Sequence, residues 1–343
     1  MASQELDFGP FIFGCAGPVL NPEEERFFQR ANPFGFILFA RNITSADQLK
    51  TLCASLRAAV GWHAPILIDQ EGGRVQRLRP PLARDWPPPL EDGRDLPAEQ
   101  RAAHIQDRYQ AIARELSGYG IDVNCAPCLD IARAETHPIL QNRCFSNEAT
   151  QVAVMGAAAA QGLADEGVLP VLKHMPGHGL ARVDSHLQLP RVGASLAELR
   201  DNDFKPFAAL KDWPMAMSAH VVYEVIDDLA ATISPKMITL IREEIGFDGL
   251  LMSDDISMDA LGGSLAERST AALAAGCDVI LHCDGGLDDM QQIAAASGVL
   301  SPEGQRRAFA ALHRRSAPFA KDRHDQHREQ HREQQREQHC ATS

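Results

Sequence analysis

The chain has 343 residues, 45% of them hydrophobic, with 33 lysines and arginines against 46 acidic side chains and a formal charge of −13. That length permits two ordinary domains or one large α/β barrel, and the negative balance opposes phosphate backbones and anionic lipid, which excludes nucleic acid and membrane as partners. The segment Met1 to Asp7 lacks a basic leader, no apolar run reaches membrane-spanning length, and the eight cysteines lie mostly in apolar runs as small hydrophobes, so a reduced, cytoplasmic protein is expected.

In chain order, short apolar runs alternate with longer segments of helical periodicity. The runs are Phe11 to Ala16, Gly35 to Ala40, Pro65 to Gln70, Asp122 to Asp130, Val168 to His174, Met215 to Val221, Gly249 to Asp255 and Cys277 to Cys283. Between them, Ala46 to Val60, Ala98 to Gly118, Glu148 to Glu166, Leu196 to Lys211, Pro235 to Glu244 and Leu265 to Ala275 are predicted as helices rich in Ala and Leu. Eight strands with intervening helices predict an α/β fold, a single (β/α)8 TIM-type barrel over residues 1–319. Within it, Arg79 to Pro89 is too rich in proline for helix or central strand and is predicted as a long loop over the active face. Residues 320–343 repeat His, Arg, Glu and Gln with almost no apolar content, a low-complexity tail that cannot build a core; its four histidines carry no dedicated metal role.

The predicted strand ends are polar, which is where barrel enzymes keep their chemistry. Asp69, Asp130, Lys173 with His174, His220, Asp254 with Asp255, and His282 all fall at or just past an apolar run. Ionisable groups at so many ends would carry a desolvation cost unless one polar cavity received them. The densest stretch is Lys173-His-Met-Pro-Gly-His-Gly179 followed by Asp184-Ser-His186, a lysine, three histidines and an aspartate within fourteen residues, beside Pro and Gly that shape loops. Ser253-Asp254-Asp255 closes the apolar run Gly249 to Met252 in the same manner. Cys125 and Cys128, three apart in an extended strand, face opposite sides and cannot chelate a metal together.

Taken together, Ile68-Asp-Gln-Glu-Gly-Gly-Arg-Val75, Asp122-Val-Asn-Cys-Ala-Pro-Cys-Leu-Asp130, Asn142-Arg-Cys-Phe145, the Lys173 to Gly179 and Asp184 to His186 stretches and Ser253 to Asp255 resemble the β-N-acetylglucosaminidases of glycoside hydrolase family 3, bacterial NagZ type, in the right order over roughly residues 8–318. The resemblance implies an exo-acting, retaining hydrolase, a monomer without metal or other cofactor. Its implied task is removal of non-reducing N-acetylglucosamine from 1,6-anhydromuropeptides in peptidoglycan recycling. It further implies that Asp254 forms a covalent glycosyl-enzyme and that His186, oriented by Asp184, is acid and then base. An imidazole titrates near neutrality and suits both transfers. Asp69, Arg77, Arg143, Lys173 and His174 are the implied sugar ligands.

By the residues alone, Asp254 is an acid at the end of a buried strand, open also to reading as a helix cap. Arg74 reads as an ion-pair partner, Asp255 as structural, and His178, His220 and His282 as satisfied polar groups. Met175, Gln141-Asn142 and Cys144 stand where the family usually has an aromatic or β-branched residue, Gly-Asp and Ser; these departures bear on substrate fit more than on reaction type. Two other readings remain. A metal-dependent barrel hydrolase would use His174, His178, His186 and Asp254, but no His-x-His ends the first predicted strand. A sugar-binding sensor without turnover would have no need of Asp184, His186 and Asp254 together.

Overall fold

Along the strands of the main sheet, successive side chains divide between two cores, as the two-residue period of a strand requires. Ile12, Leu67, Val123, Leu169, Met217, Met252 and Leu281 enter one cluster. Their neighbours Phe11, Phe13, Ile66, Ile68, Leu172, Ala216, Leu251 and Ile280 enter the other, which includes the buried faces of the surrounding helices. Both faces of the sheet are therefore covered, and its strands read as continuous apolar runs. This computed structural model describes residues 8–183, 188–258 and 260–315.

The main sheet runs, in spatial order, Leu169–Pro170, Val123–Asn124, Ile66–Ile68, Pro33–Leu38, Gly9–Phe13, Val279–His282, Leu250–Asp255, Met215–Ser218 and Leu172–Met175. Every pairing in it is parallel. Its two outermost segments belong to one apolar run and are separated only by Val171, so the nine segments curl into a nearly closed, barrel-like α/β fold. Cys128 adds a parallel bridge to Lys173 near the same seam.

Several predicted elements coincide with those found, notably helices Ala46–Val60, Ala98–Ser117, Ala149–Asp165 and Leu265–Ala275. Helices Ala98–Ser117 and Ala149–Asp165 pack at close range because Gly162 lacks a side chain: a Cβ there would run into the Gln106 carbonyl. Other elements differ. The run Asp122 to Asp130 is regular only at Val123–Asn124; beyond it Pro127 has no N–H to donate, and the Asn124 side chain takes over, exchanging two 3.0 Å hydrogen bonds with the Gln70 backbone. The helix predicted from Leu196 to Lys211 is broken into Leu196–Asp201 and Lys205–Ala209, with Pro206 starting the second piece and Asp203 turned inward to Arg133. The segment from Pro235 is α-helical to Leu240 and continues as a π-helical turn over Ile241–Ile245. Helices Pro22–Ala31, Leu287–Ser297 and Pro302–Arg314 were not foreseen.

The last of these closes the end of the sheet where the strands begin. Ala308 and Ala311, with Leu300, belong to the interior cluster, and Phe309 and Leu312 pack against it. Phe8, just before the first strand, stacks on Trp62 and meets Phe34 and Phe309 at a tilt, with ring centroids 5.2–5.9 Å away. Arg315 then reaches Asp122 at 2.9 Å. The opposite end, where the strands finish, is left open. Among the described residues no helix is long and apolar enough to cross a membrane.

Candidate active site

Strand parity places the chemistry. Asp69 follows Leu67 by two residues, Lys173 follows Val171 and Asp254 follows Met252, so each continues the interior-facing series beyond the apolar layer. There they meet a cavity of about 320 Å³ with Ile37, Met217 and Leu281 at its floor and Asp69, Arg77, Arg143, His174, His178, Asp254 and Asp255 among its walls. Lys173 lies behind this wall, 2% exposed, joined to Asp69 at 2.7 Å. The predicted sugar ligands Asp69, Arg77, Arg143, Lys173 and His174 and the predicted nucleophile Asp254 are thus brought together. Asp184 and His186 lie outside the described residues. Arg74, read from the sequence as an ion-pair partner, lines the cavity as well.

A hairpin of Gln70–Gly72 and Val75–Gln76 follows the third strand and sets the first group. The Gln70 amide locks it, its Oε1 accepting from the Arg77 and Leu78 N–H groups and its Nε2 donating to the Leu78 carbonyl at 2.9–3.0 Å. Arg77 consequently turns back to donate to Asp69 at 2.9 Å. Glu71, 1% exposed, takes a bidentate pair from Arg143 at 2.8 and 3.0 Å and Lys173 at 2.6 Å. Burial alone would raise the Asp69 and Glu71 carboxyls, but the surrounding Lys173, Arg77 and Arg143 charges outweigh it, holding Asp69 far below the usual range and Glu71 down at about 2. Burial would likewise lower the Lys173 ammonium, and the two carboxylates push it up instead.

The second group is centred on Asp130, 1% exposed. Its Oδ2 accepts from His174 Nδ1 at 2.7 Å and Cys128 Sγ at 3.3 Å, and its Oδ1 accepts from the His178 N–H at 2.6 Å. That bond fixes the His174 ring so that Nε2 faces Arg143 Nη2 at 3.4 Å. Cys128, Asp130 and His174 bring ligand-type atoms within 4.8 Å of one another, and here they are occupied with each other. Cys125 belongs to the interior cluster and Cys128 to a separate one with Ala132, Leu140 and Cys144. The His178 ring packs tilted against His174, centroids 5.5 Å apart, and burial pushes its imidazole down to about 4.

Asp254 occupies the wall near these imidazoles and accepts the Asp255 N–H at 2.8 Å. Burial would raise its carboxyl; His174, His220 and that N–H hold it below the usual carboxylate range, so it is ionised at neutral pH. Asp255 is tied to the backbone N–H groups of Ser257 and Cys283 at 3.1 and 3.2 Å, which fits its structural reading. His220 is fully satisfied: Nε2 donates to the Asp255 carbonyl at 3.0 Å, leaving Nδ1 to accept from Thr232 at 2.8 Å. His178 and His282 differ from expectation, since His178 Nδ1 and both buried ring nitrogens of His282 lack a hydrogen-bond partner among the described residues.

The segment after His174 has a fixed base. Tyr223 donates from its hydroxyl to the Gly177 carbonyl, Thr136 donates to Gly179 O at 2.6 Å, and His137 N donates to Ala181 O at 3.2 Å. Gly179 sits so close to Ile131 that a Cβ would strike its carbonyl oxygen. Beneath, Arg133 and Asp203 form a bidentate pair at 2.8 Å.

Sequence reasoning placed Asp130 among the polar strand ends without giving it a role, and gave Glu71 no part in the site. The signal for Glu71 was present: in an extended hairpin, residues 69 and 71 share a face.

The description "Glycosyl hydrolase family 3 N terminal domain" matches residues 20–305. The chain belongs to glycoside hydrolase family 3. This family 3 glycoside hydrolase is 36% identical over 285 residues to a beta-hexosaminidase of Bordetella parapertussis, covering 80% of each chain. Native NagZ of Neisseria gonorrhoeae superposes with a TM-score of 0.83 at 32% identity, over 92% of this chain and 91% of that one. The same protein in complex with N-trifluoroacetyl-D-glucosamine gives a TM-score of 0.82 at 31% identity, over 92% and 91%.

Proposed function

We propose that this family 3 enzyme is an exo-acting, retaining β-N-acetylglucosaminidase that hydrolyses N-acetylglucosaminyl-1,6-anhydromuropeptides during peptidoglycan recycling. The observation that carries the reading is an ionised Asp254 facing the Asp69–Arg77–Lys173–Arg143 cluster across a cavity of about 320 Å³. A space of that size suits one sugar ring, which supports removal of single terminal residues. The nine strand segments are read as the eight strands of a (β/α)8 barrel, the fifth interrupted at Val171. The names of the relatives support an N-acetylhexosamine as the sugar.

In this mechanism Asp69, Arg77, Arg143, Lys173 and His174 grip the sugar hydroxyls through charge-assisted hydrogen bonds. The Asp254 carboxylate attacks the anomeric carbon while His186, oriented by Asp184, protonates the departing glycosidic oxygen. His186 then takes a proton from water, which attacks the same carbon and releases Asp254 with net retention. The enzyme works as a monomer in the cytoplasm and needs no metal.

Release of 4-nitrophenol from its β-N-acetylglucosaminide and β-glucoside, with and without chelator, tests this. Expected are chelator-insensitive turnover selective for the N-acetyl sugar, a loss of at least about 1000-fold in kcat for Asp254→Asn, and a strong reduction for His186→Ala. Full turnover by Asp254→Asn, with no glycosyl-enzyme trapped by a 2-fluoro sugar, would refute the covalent route.

A further inference from the structure

Glu71 does not reach the cavity, yet it receives more donors than the cavity carboxylates Asp69, Asp254 and Asp255. Its two oxygens receive three donors, Arg143 Nε, Arg143 Nη2 and Lys173 Nζ, at 2.6–3.0 Å. Its own carbonyl is anchored from helix Ala98–Ser117 by Arg108 Nη2 at 2.6 Å. Without this carboxylate, Lys173, Arg143 and Arg77 would share Asp69 as the one remaining acid of their cluster. Asp69 already gives one oxygen to Lys173 and the other to Arg77; drawn further into that role, it would have less to offer a ligand. A glutamine at 71 is no substitute, because its amide N–H₂ would face a second donor whichever way the group is turned.

We propose that Glu71 is a positioning residue: it holds Lys173 and Arg143 in their sugar-gripping poses and keeps Asp69 available to accept from a sugar hydroxyl. This rests on the glycosidase reading of the cavity. Glu71 touches no reacting atom; it acts on the charges that do touch the sugar, so its loss acts on binding as well as on rate. A side chain needed only for folding would lower the active fraction and kcat while leaving KM alone.

The experiment measures kcat and KM on the aryl N-acetylglucosaminide for wild type, Glu71→Gln, Arg143→Ala and the double variant, with thermal melts alongside. Glu71→Gln is expected to raise KM and to lower kcat/KM about 100-fold, and the double variant to fall no further than the weaker single variant. Should Glu71→Gln not fold, Glu71→Asp, which keeps the charge but withdraws it by one methylene, is read by the same criteria. A folded variant with kcat/KM within about twofold of wild type, an unchanged KM, or losses that multiply in the double variant overturns the proposal. Wild type without turnover instead overturns the glycosidase reading.

Discussion

At the residue scale, the site joins carboxylates held below their ordinary range to the His178 and His220 imidazoles, which burial pushes down, and both leave a pH signature. His178 ordinarily titrates near 6.5 and is pushed down to about 4 in the folded state. The unfolded chain therefore binds this proton first, and the stability His178 contributes is present above pH 6.5 and lost as pH falls to 4. Full loss amounts to about 3 kcal/mol. His220 and His282, also lowered by burial, act in the same direction. Below that window Asp69, Glu71, Asp130 and Asp254 extend the decline, since each is held below its ordinary value. Urea midpoints taken between pH 7.5 and 4.5 are expected to fall, and His178→Gln should flatten the drop between 6.5 and 4.5; an equally steep drop in that variant removes His178 as a cause. The sequence made Asp69, Lys173 and Asp254 legible because each extends an alternating strand by one interior-facing step. It left Glu71 and Asp130 without a role because their importance lies in contacts to residues 72 and 44 positions away, Arg143 and His174.

At the element scale, loop geometry at the mouth depends on a few close approaches. Replacing Gly179 by alanine forces a Cβ against the Ile131 carbonyl and displaces the base of the segment leading to Asp184 and His186. Gly179→Ala is expected to lower kcat by about 10–100-fold while thermal melting stays close to wild type, the signature of a local shift; an unaltered kcat would show that this contact is not needed. Helices whose apolar period and caps were strong, such as Ala46–Val60 between Ser45 and Gly61, were fully legible. Pro22–Ala31 was missed although Asn21 and Glu24 form a capping box at its start. Its short length and three successive acids obscured a buried face made of Phe27 and Phe28. The break at Asn202–Phe204 was illegible because Asp203 leaves the helix for a tertiary partner, Arg133.

For the whole molecule, the alternation of apolar runs and helices was enough to predict a parallel α/β fold, whereas closure at its lower end was not legible, since the Pro302–Arg314 helix lies beyond the last predicted strand. That helix sets a limit on truncation. We expect a chain lacking residues 320–343 to keep wild-type kcat and a melting temperature within about 2 °C of full length; lost activity or stability would overturn the reading of 1–319 as the catalytic unit. Removing Pro302–Arg314 should expose Phe8 and Trp62 and yield aggregated protein; soluble, active protein lacking that helix would contradict its role as a plug. The pairing of Gly9–Phe13 with Val279–His282 carries a further consequence during synthesis. The first strand acquires one neighbour, Pro33–Leu38, almost at once, but its other partner is translated about 270 residues later, on the order of 15–50 s at typical elongation rates. Throughout that interval an edge containing Phe11 and Phe13 stands unpaired, and a ribosome stalled before Val279 releases a nascent chain whose open seam is a substrate for chaperones and for self-association.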